Sequence, residues 1–442
     1  MKMNTKAFKY VLALILMFLA ATFPILSHAQ TQKNNLDVMA ITLESPNDSS
    51  PLTEGLADTI VMKMQPQETG KFIRGIHLTS MMILASKQQA AVLELLEKTE
   101  LNAVVIDIKE TDGYVNFVDV DIVKQNKTAG AKPQALLNFL QKAKAANVYT
   151  IARIVIFRDN LMPRLHPEMA VKNPDGSLWR DRANITWLDP YNDEAKEYMM
   201  QIALAVADMG FDEIQFDYIR FPSDGNLSAA RYSKPSTRAS ASNEVVAFLK
   251  QANTRLKTKG VKISIDVFGL TTTAVDDMGI GQKIADMTQW VDYVSPMVYP
   301  SHYAKGAYGI PDPNKEPYRT VYLAMRGALE RVPAHKLRPW LQDFTMRGYH
   351  YGPQQVRDQI QASYDNGIGS WLLWNSRCVY TLGALKGPEA ENSYERSTRS
   401  GAARKKEVKI DQVSVSVSSA PAASDAPLEV STSTAPQQQA QD

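Results

Sequence analysis

Eight short apolar runs, separated by segments with helical periodicity, constrain the fold of this chain more than any other feature. The runs occupy residues 72–78, 103–108, 148–157, 211–217, 261–268, 293–298, 337–344 and 370–374. The helix-like segments between them include 88–98, 133–146, 193–209, 243–257, 280–290, 318–331 and 353–366. Apolar strands that alternate with helices are typical of parallel sheets covered on both faces.

The number of strand–helix pairs predicts a closed barrel. Eight pairs over about 320 residues fit an α/β fold of the (β/α)8 TIM-barrel class, which needs about 250 residues and tolerates insertions. A doubly wound open sheet is the alternative, but neither GxGxxG nor GxxxxGK[ST] follows the first strand. The long segments after strands 2, 3, 4 and 6 would all lie on the face that carries barrel active sites. They are residues 109–132, 158–192, 218–242 and 299–317.

The two ends of the chain differ in composition from the predicted barrel domain at 71–390. Residues 1–29 combine lysines, an apolar run broken by Pro24 and small residues before Gln30. This pattern predicts a signal peptide cleaved after Ala29 and an exported protein, periplasmic or extracellular, that contacts the membrane only during export. An uncleaved anchor is the alternative. Residues 30–70 predict a linker, and 391–442, rich in Ala, Ser, Gln and Pro, predict a disordered tail.

Charge and cysteine content argue against several classes of function. Lys plus Arg (49) nearly balance Asp plus Glu (47), so no overall field would recruit nucleic acid or anionic lipid. Cys378 is the single cysteine, which excludes an intramolecular disulfide. The six histidines show neither HxH nor HExxH spacing. We therefore expect no metal and no cofactor, and the sequence leaves the oligomeric state open.

Carboxylates at predicted strand ends are the candidates for catalysis. The run GFDEIQFDYIRFP at 210–222 places Asp217 at the end of the fourth strand, and Asp266 ends the fifth. Carboxyl groups on neighbouring strand ends can approach to about 5–6 Å, which suits a retaining glycosidase, whereas a wider pair suits an inverting one. Asp107, at the end of the second strand, would assist. A carboxylate that only caps a helix or pairs with an arginine is the structural alternative, and the nearby arginines are Arg153, Arg158 and Arg220.

A second group of residues would bind and position a substrate. An aromatic side chain at a strand end offers a sugar ring an apolar platform and a hydrogen-bonding edge. Packing of loops onto the barrel is the alternative role for these aromatics. The predicted substrate-binding residues are Tyr299, Arg220, Trp374, Asn375, Asp343, His77 and Gln215. Glu110 and Asp112 follow the second strand and are set aside because they lie outside it.

Several ordered motifs resemble one known family. They include RGIHLTS at 74–80, NAVVIDIKETDGYV at 102–115, SIDVFG at 264–269, VDYVSPMVYPSHY at 291–303 and SWLLWN at 370–375, together with the 210–222 run. Over about 75–385 the chain is similar to the uncharacterised glycoside-hydrolase-like TIM-barrel domains of bacterial secreted proteins. The resemblance implies hydrolysis of glycosidic bonds in a polysaccharide, with a carbohydrate as the partner. His77 departs from the aromatic or aliphatic residue expected in the first motif.

The sequence leaves other functions open. The SPMVYP element is similar to the sixth strand of chitinase-like barrels, but the chain lacks their DxxDxDxE string, so substrate-assisted cleavage does not carry over. A non-catalytic saccharide-binding barrel of the cell envelope would keep the aromatic platforms without an acid pair. A barrel hydrolase that acts on something other than sugars would bind a metal or a phosphate at the same face.

Overall fold

A computed structural model describes residues 72–388. Here eight parallel strands close into a barrel in chain order, with the eighth paired to the first. The strands are β1 (Arg74–Leu78), β2 (Ala103–Lys109), β3 (Tyr149–Val155), β4 (Glu213–Asp217), β5 (Lys262–Phe268), β6 (Tyr293–Met297), β7 (Trp340–Gln342) and β8 (Trp371–Trp374). The (β/α)8 prediction is confirmed. The predicted signal peptide, linker and tail at 1–29, 30–70 and 391–442 lie outside the described residues.

Ten α-helices lie between and after these strands within residues 72–388. They are α1 (Ser80–Leu84), α2 (Ser86–Lys98), α3 (Asp121–Gln125), α4 (Gln134–Ala145), α5 (Met162–Leu165), α6 (Asp193–Ala207), α7 (Arg238–Lys257), α8 (Ile284–Met287), α9 (Pro317–Leu329) and α10 (Pro353–Asp365). None of the helices in this range is long and apolar enough to cross a membrane.

The helix predicted at 280–290 is wrong for most of its length. The segment forms only the single turn α8 and a 3-10 turn, Thr288–Trp290. Gly279 and Gly281 before it adopt φ values of +70° and +79°, which lie in the left-handed region and cannot begin a right-handed helix. A Cβ added at Gly281 would come within 3.0 Å of the Ala241 carbonyl oxygen. The chain therefore approaches α7 too closely here for a longer side chain.

Strand alternation divides the core into two layers. One hydrophobic cluster packs between the barrel and the surrounding helices and includes Ile214 and Phe216 of β4. A smaller cluster fills the inside of the barrel. It includes Ile73, Val105, Ile151, Trp340 and Leu372. Because side chains of one strand alternate between the two faces, Glu213, Gln215 and Asp217 point into the barrel, with Asp217 at the carboxyl end.

Candidate active site

A single arginine joins the predicted acidic residues at the carboxyl end of the barrel. Arg153 of β3 donates from Nη1 to Asp107 Oδ1 at 2.6 Å. Its Nη2 and Nε donate to Asp217 Oδ2 at 2.5 and 3.1 Å. Asp266 Oδ2 lies 3.8 Å from the same Nε. The structure therefore brings all three predicted catalytic carboxyl groups onto one guanidinium.

Asp217 and Asp266 are close enough to act as a pair. Their Oδ2 atoms lie 3.1 and 3.8 Å from one nitrogen, so they are no more than about 7 Å apart. The strand register agrees, because Phe216 pairs with Ile265 immediately before them. This limit includes the separation of about 5–5.5 Å found in retaining glycosidases and only the lower edge of the range of about 6.5–9.5 Å found in inverting ones.

The two carboxyl groups of this pair have different environments. Asp217 accepts two hydrogen bonds from Arg153 and a third from the Tyr218 backbone N–H, at 2.6 Å. Asp266 instead accepts one from the Trp340 indole, at 2.8 Å. Burial and the neighbouring Asp217 charge raise the pKa of Asp266 well above its ordinary value. The surroundings of Asp266 therefore favour its neutral form, whereas three hydrogen-bond donors face the Asp217 carboxyl group.

His77 occupies the position next to Asp107. Its Nε2 lies 2.6 Å from Asp107 Oδ2, and its ring stacks on Trp374 with centroids 4.0 Å apart. Burial alone would lower the pKa of His77, but the Asp107 carboxylate outweighs it and raises the pKa to about 9. The Arg153 guanidinium also lies over the Trp374 ring, 4.9 Å from its centroid. Two cations therefore contact this partly exposed indole.

Tyr299 closes the other side of the site. It lies just beyond β6, and its ring packs edge-on against Phe344 and His302 at 5.6 and 5.3 Å. Burial, together with the neighbouring carboxyl groups of Asp266 and Asp217, raises the pKa of Tyr299 well above its ordinary value, so the phenol stays neutral. Its predicted role in holding substrate stays a prediction.

Accessibility separates the members of this site. The side chains of Asp107 and Asp266 are 0% and 1% exposed, whereas those of Arg153 and Asp217 are each 6% exposed. Asp217 is therefore the predicted carboxylate that reaches furthest toward the mouth of the barrel. Asp107, held by Arg153 and His77, is placed to orient the arginine.

Glu110, which lies outside the predicted strand, is near enough to this site to interact electrostatically with Asp107. It follows β2 directly and is partly exposed. Burial and the nearby Asp107 charge raise the pKa of Glu110 to about 7. The sequence signal that could have found it is its position, one residue past a strand end in KETDG, where barrel loops carry functional groups.

Three predicted residues make mainly internal contacts. Gln215 lies one layer deeper and donates to Ser295 Oγ at 3.3 Å. Asp343 accepts from the Thr381 backbone N–H at 2.9 Å and from its hydroxyl at 2.5 Å. Asn375 donates to the Asp343 carbonyl at 2.5 Å. The contacts of Asp343 and Asn375 fix the loop after β8 to the end of β7. The predicted substrate-binding roles of all three residues stay predictions.

The arginines near the acids differ in their partners. Arg153 binds Asp107 and Asp217, and Arg158 Nε donates to Asp181 Oδ2 at 2.8 Å. Arg220 donates instead to the Phe221 carbonyl and the Ser223 hydroxyl, at 3.0 and 3.2 Å. Across residues 72–388, no group of three or more His, Cys, Asp or Glu side chains is arranged to hold a metal ion.

The fold is shared with a solved glycoside hydrolase domain. The PgaB (BpsB) glycoside hydrolase domain from Bordetella bronchiseptica aligns with a TM-score of 0.53 at 13% identity, covering 70% of this chain and 95% of that domain. A hypothetical protein from Ruminiclostridium thermocellum ATCC 27405 is 34% identical, covering 43% of this chain and 97% of that one, with a TM-score of 0.39. The spore cortex-lytic enzyme SleL from Bacillus megaterium QM B1551 aligns at 11% identity over 75% of each chain, with a TM-score of 0.44.

A family model covers nearly all of the described barrel. It is described as "Putative glycosyl hydrolase domain" and matches residues 75–380. Among curated proteins, none matches this chain significantly. The family resemblance inferred from the ordered sequence motifs is confirmed, and this chain belongs to that glycosyl hydrolase domain family.

Proposed function

We propose that this protein is a glycoside hydrolase that cleaves a polysaccharide by acid/base catalysis with Asp217 and Asp266. The observation that carries the proposal is the shared position of these two carboxyl groups beside Arg153, within about 7 Å of each other but in different environments. Glycosidases need one carboxylate that stays charged and one carboxylic acid that keeps a proton.

The proposed reaction follows from these environments. Protonated Asp266 would give its proton to the glycosidic oxygen as the bond to the anomeric carbon breaks. Asp217 would stabilise the positive charge on the sugar, either by forming a covalent bond to the anomeric carbon or through its negative charge. Water then adds to the anomeric carbon and gives a proton to deprotonated Asp266 in the retaining course, or to Asp217 in the inverting course. The upper limit of about 7 Å on the carboxyl separation includes the distance typical of retention and only the lower edge of the range typical of inversion.

Glu110 is a second candidate for the proton donor. Asp266 is almost fully buried, whereas Glu110 is partly exposed and has a pKa of about 7, which suits an acid that works near neutral pH. Comparison of Asp266→Asn with Glu110→Gln distinguishes the two. The variant that lacks the true proton donor should lose activity on substrates with a poor leaving group. It should keep much of its activity on activated aryl glycosides, because their leaving groups need no protonation.

The proposal is tested by the release of reducing ends from a panel of envelope and environmental polysaccharides. We expect Asp217→Asn to abolish release and to leave thermal unfolding near that of the parent. The matched control is Asp276→Asn, since this exposed carboxylate pairs with Arg238 outside the cluster around Arg153. Full activity of Asp217→Asn on a substrate that the parent cleaves would overturn the assignment. Binding without any release would favour a saccharide-binding barrel.

We also propose that the protein is exported. The support is the amino-terminal sequence, in which lysines precede an apolar run and the small residues Ser27 and Ala29 flank His28. Mass spectrometry of the protein recovered from envelope and culture fractions should find a mature chain that begins at Gln30. Recovery of a chain that retains residues 1–29 would contradict cleavage.

A further inference from the structure

Arg220 is a buried cation without a carboxylate in contact within residues 72–388. The residue is 3% exposed, and its Nη1 donates only to the Phe221 carbonyl and the Ser223 hydroxyl. Within the described part of the chain, neither its Nε nor its Nη2 forms an ion pair. Burial of a guanidinium without an anionic partner costs free energy, so such a group needs an explanation.

Aromatic rings hold the guanidinium in place. Its central carbon lies 4.3 Å from the centroid of Phe268, 4.8 Å from that of Tyr218 and 5.1 Å from that of Trp187. Cation–π contacts stabilise a desolvated arginine without neutralising its charge. Burial lowers the pKa of Arg220 only to about 10, so the guanidinium stays charged at neutral pH.

The neighbours of Arg220 place it beside the candidate catalytic pair. Tyr218 directly follows Asp217, and Phe268 is the last residue of β5, two residues after Asp266. The guanidinium therefore lies between the ends of β4 and β5 on the face where barrel enzymes bind substrate. Tyr218 is partly exposed, so this part of the site is open to solvent.

We propose that Arg220 forms a subsite for the carboxylate of an acidic sugar, so that the substrate is a uronic-acid-containing polysaccharide. Because Nη1 is used by the backbone, the Nε and Nη2 edge remains, and this edge of a guanidinium matches a carboxylate with two parallel hydrogen bonds. The inference rests on the proposed function for the position of the sugar and extends it to a class of substrate.

Calorimetric binding to paired oligosaccharides tests this inference. The protein is the mature chain with Asp217→Asn, which prevents turnover, at low ionic strength. The probes are short oligosaccharides of glucuronate or galacturonate and the same compounds after reduction of the carboxyl groups. We expect at least one uronate to bind about tenfold or more tightly than its reduced form, since hydrogen bonds to a charged partner are the stronger ones.

Arg220→Gln in the same background should remove this preference and leave the affinity for the reduced form within about twofold. Arg238→Gln, which removes an exposed arginine elsewhere, is the control for net charge and should keep the preference. If Arg220→Gln does not fold, Arg220→Lys keeps the charge without the planar fork and should lower uronate affinity several-fold. Equal binding within every pair, no binding of any uronate, or a preference that is undiminished in a folded Arg220 variant would overturn the inference.

The two proposals can fail separately. Asp217-dependent hydrolysis of a neutral polysaccharide, with no preference for uronates, would overturn the Arg220 inference and leave the proposed function standing. Uronate binding through Arg220 without hydrolysis of any tested polysaccharide would do the reverse.

Discussion

The barrel encloses two clusters of buried charge, and they differ in balance. The amino-end cluster consists of Tyr149, Glu213, Ser264 and Arg338. Here one carboxylate meets one guanidinium, and Glu213 also accepts from the Tyr149 hydroxyl at 3.0 Å and from the Ser264 hydroxyl. The carboxyl-end cluster consists of His77, Asp107, Arg153, Asp217 and Asp266. In it three carboxyl groups face one guanidinium and one imidazole.

We propose that this difference separates a structural cluster from a functional one. Glu213 and Arg338 are both 0% exposed and neutralise each other, so the pair has no proton to exchange and no route to substrate. In the carboxyl-end cluster, His77 and Arg153 can offset only two carboxylates, and the raised pKa of Asp266 favours a neutral third carboxyl group. That cluster also reaches solvent through Asp217 and Arg153. A cluster near solvent that has more carboxyl groups than cations is the arrangement that acid/base chemistry requires.

The largest effect should come from Asp217. Asp217→Asn should lower kcat/KM by about a thousandfold or more, because the amide cannot stabilise the positively charged sugar. The loss of stability should be small, since Arg153 keeps its bond to Asp107. Steady-state kinetics and urea unfolding of the same preparations check this. The functional view of the carboxyl-end cluster fails if turnover persists.

The amino-end cluster should show the opposite behaviour. Glu213→Gln leaves the Arg338 charge buried without a counterion and should cost about 3–5 kcal/mol of unfolding free energy. Turnover per folded molecule should change little. Urea unfolding and active-site titration separate the two quantities, with the exposed Glu330→Gln as the control. A normal stability for Glu213→Gln would break the contrast between the clusters.

His77 should make stability depend on pH. Its folded pKa of about 9 lies above the ordinary value of 6.5, so its contribution is fully present below pH 6.5 and is lost as pH rises through 9. The loss is about 3 kcal/mol. Thermal unfolding of parent and His77→Gln between pH 6 and 9.5 measures it, and parallel curves would contradict the assigned charge.

The smallest effect concerns Glu110 and the pH dependence of activity. Its pKa of about 7 means that it ionises as pH rises through neutrality, which adds negative charge beside Asp107 and removes a proton donor. We expect kcat/KM of the parent to fall several-fold above pH 7 and Glu110→Gln to lack that step. If Glu110→Gln has the same pH profile as the parent, the acid that titrates belongs to the carboxyl-end cluster and is not Glu110.

The sequence was informative about residues whose position follows from strand order. Asp217 and Asp266 end neighbouring strands, and a parallel barrel must bring such ends together. Glu110 was missed because strand periodicity ends one residue before it. The helix at 280–290 was mispredicted because apolar spacing does not report the left-handed glycines before it.

By itself, the sequence determined the eight strands, their parallel order and the face on which the candidate acids lie, because these depend on local periodicity and chain connectivity. The tertiary structure decided which carboxyl group favours its protonated form and which arginine pairs with the candidate acids. Burial and the approach of Arg153, His77 and Trp340 set these properties, and all three come from strands distant in sequence from Asp217 and Asp266.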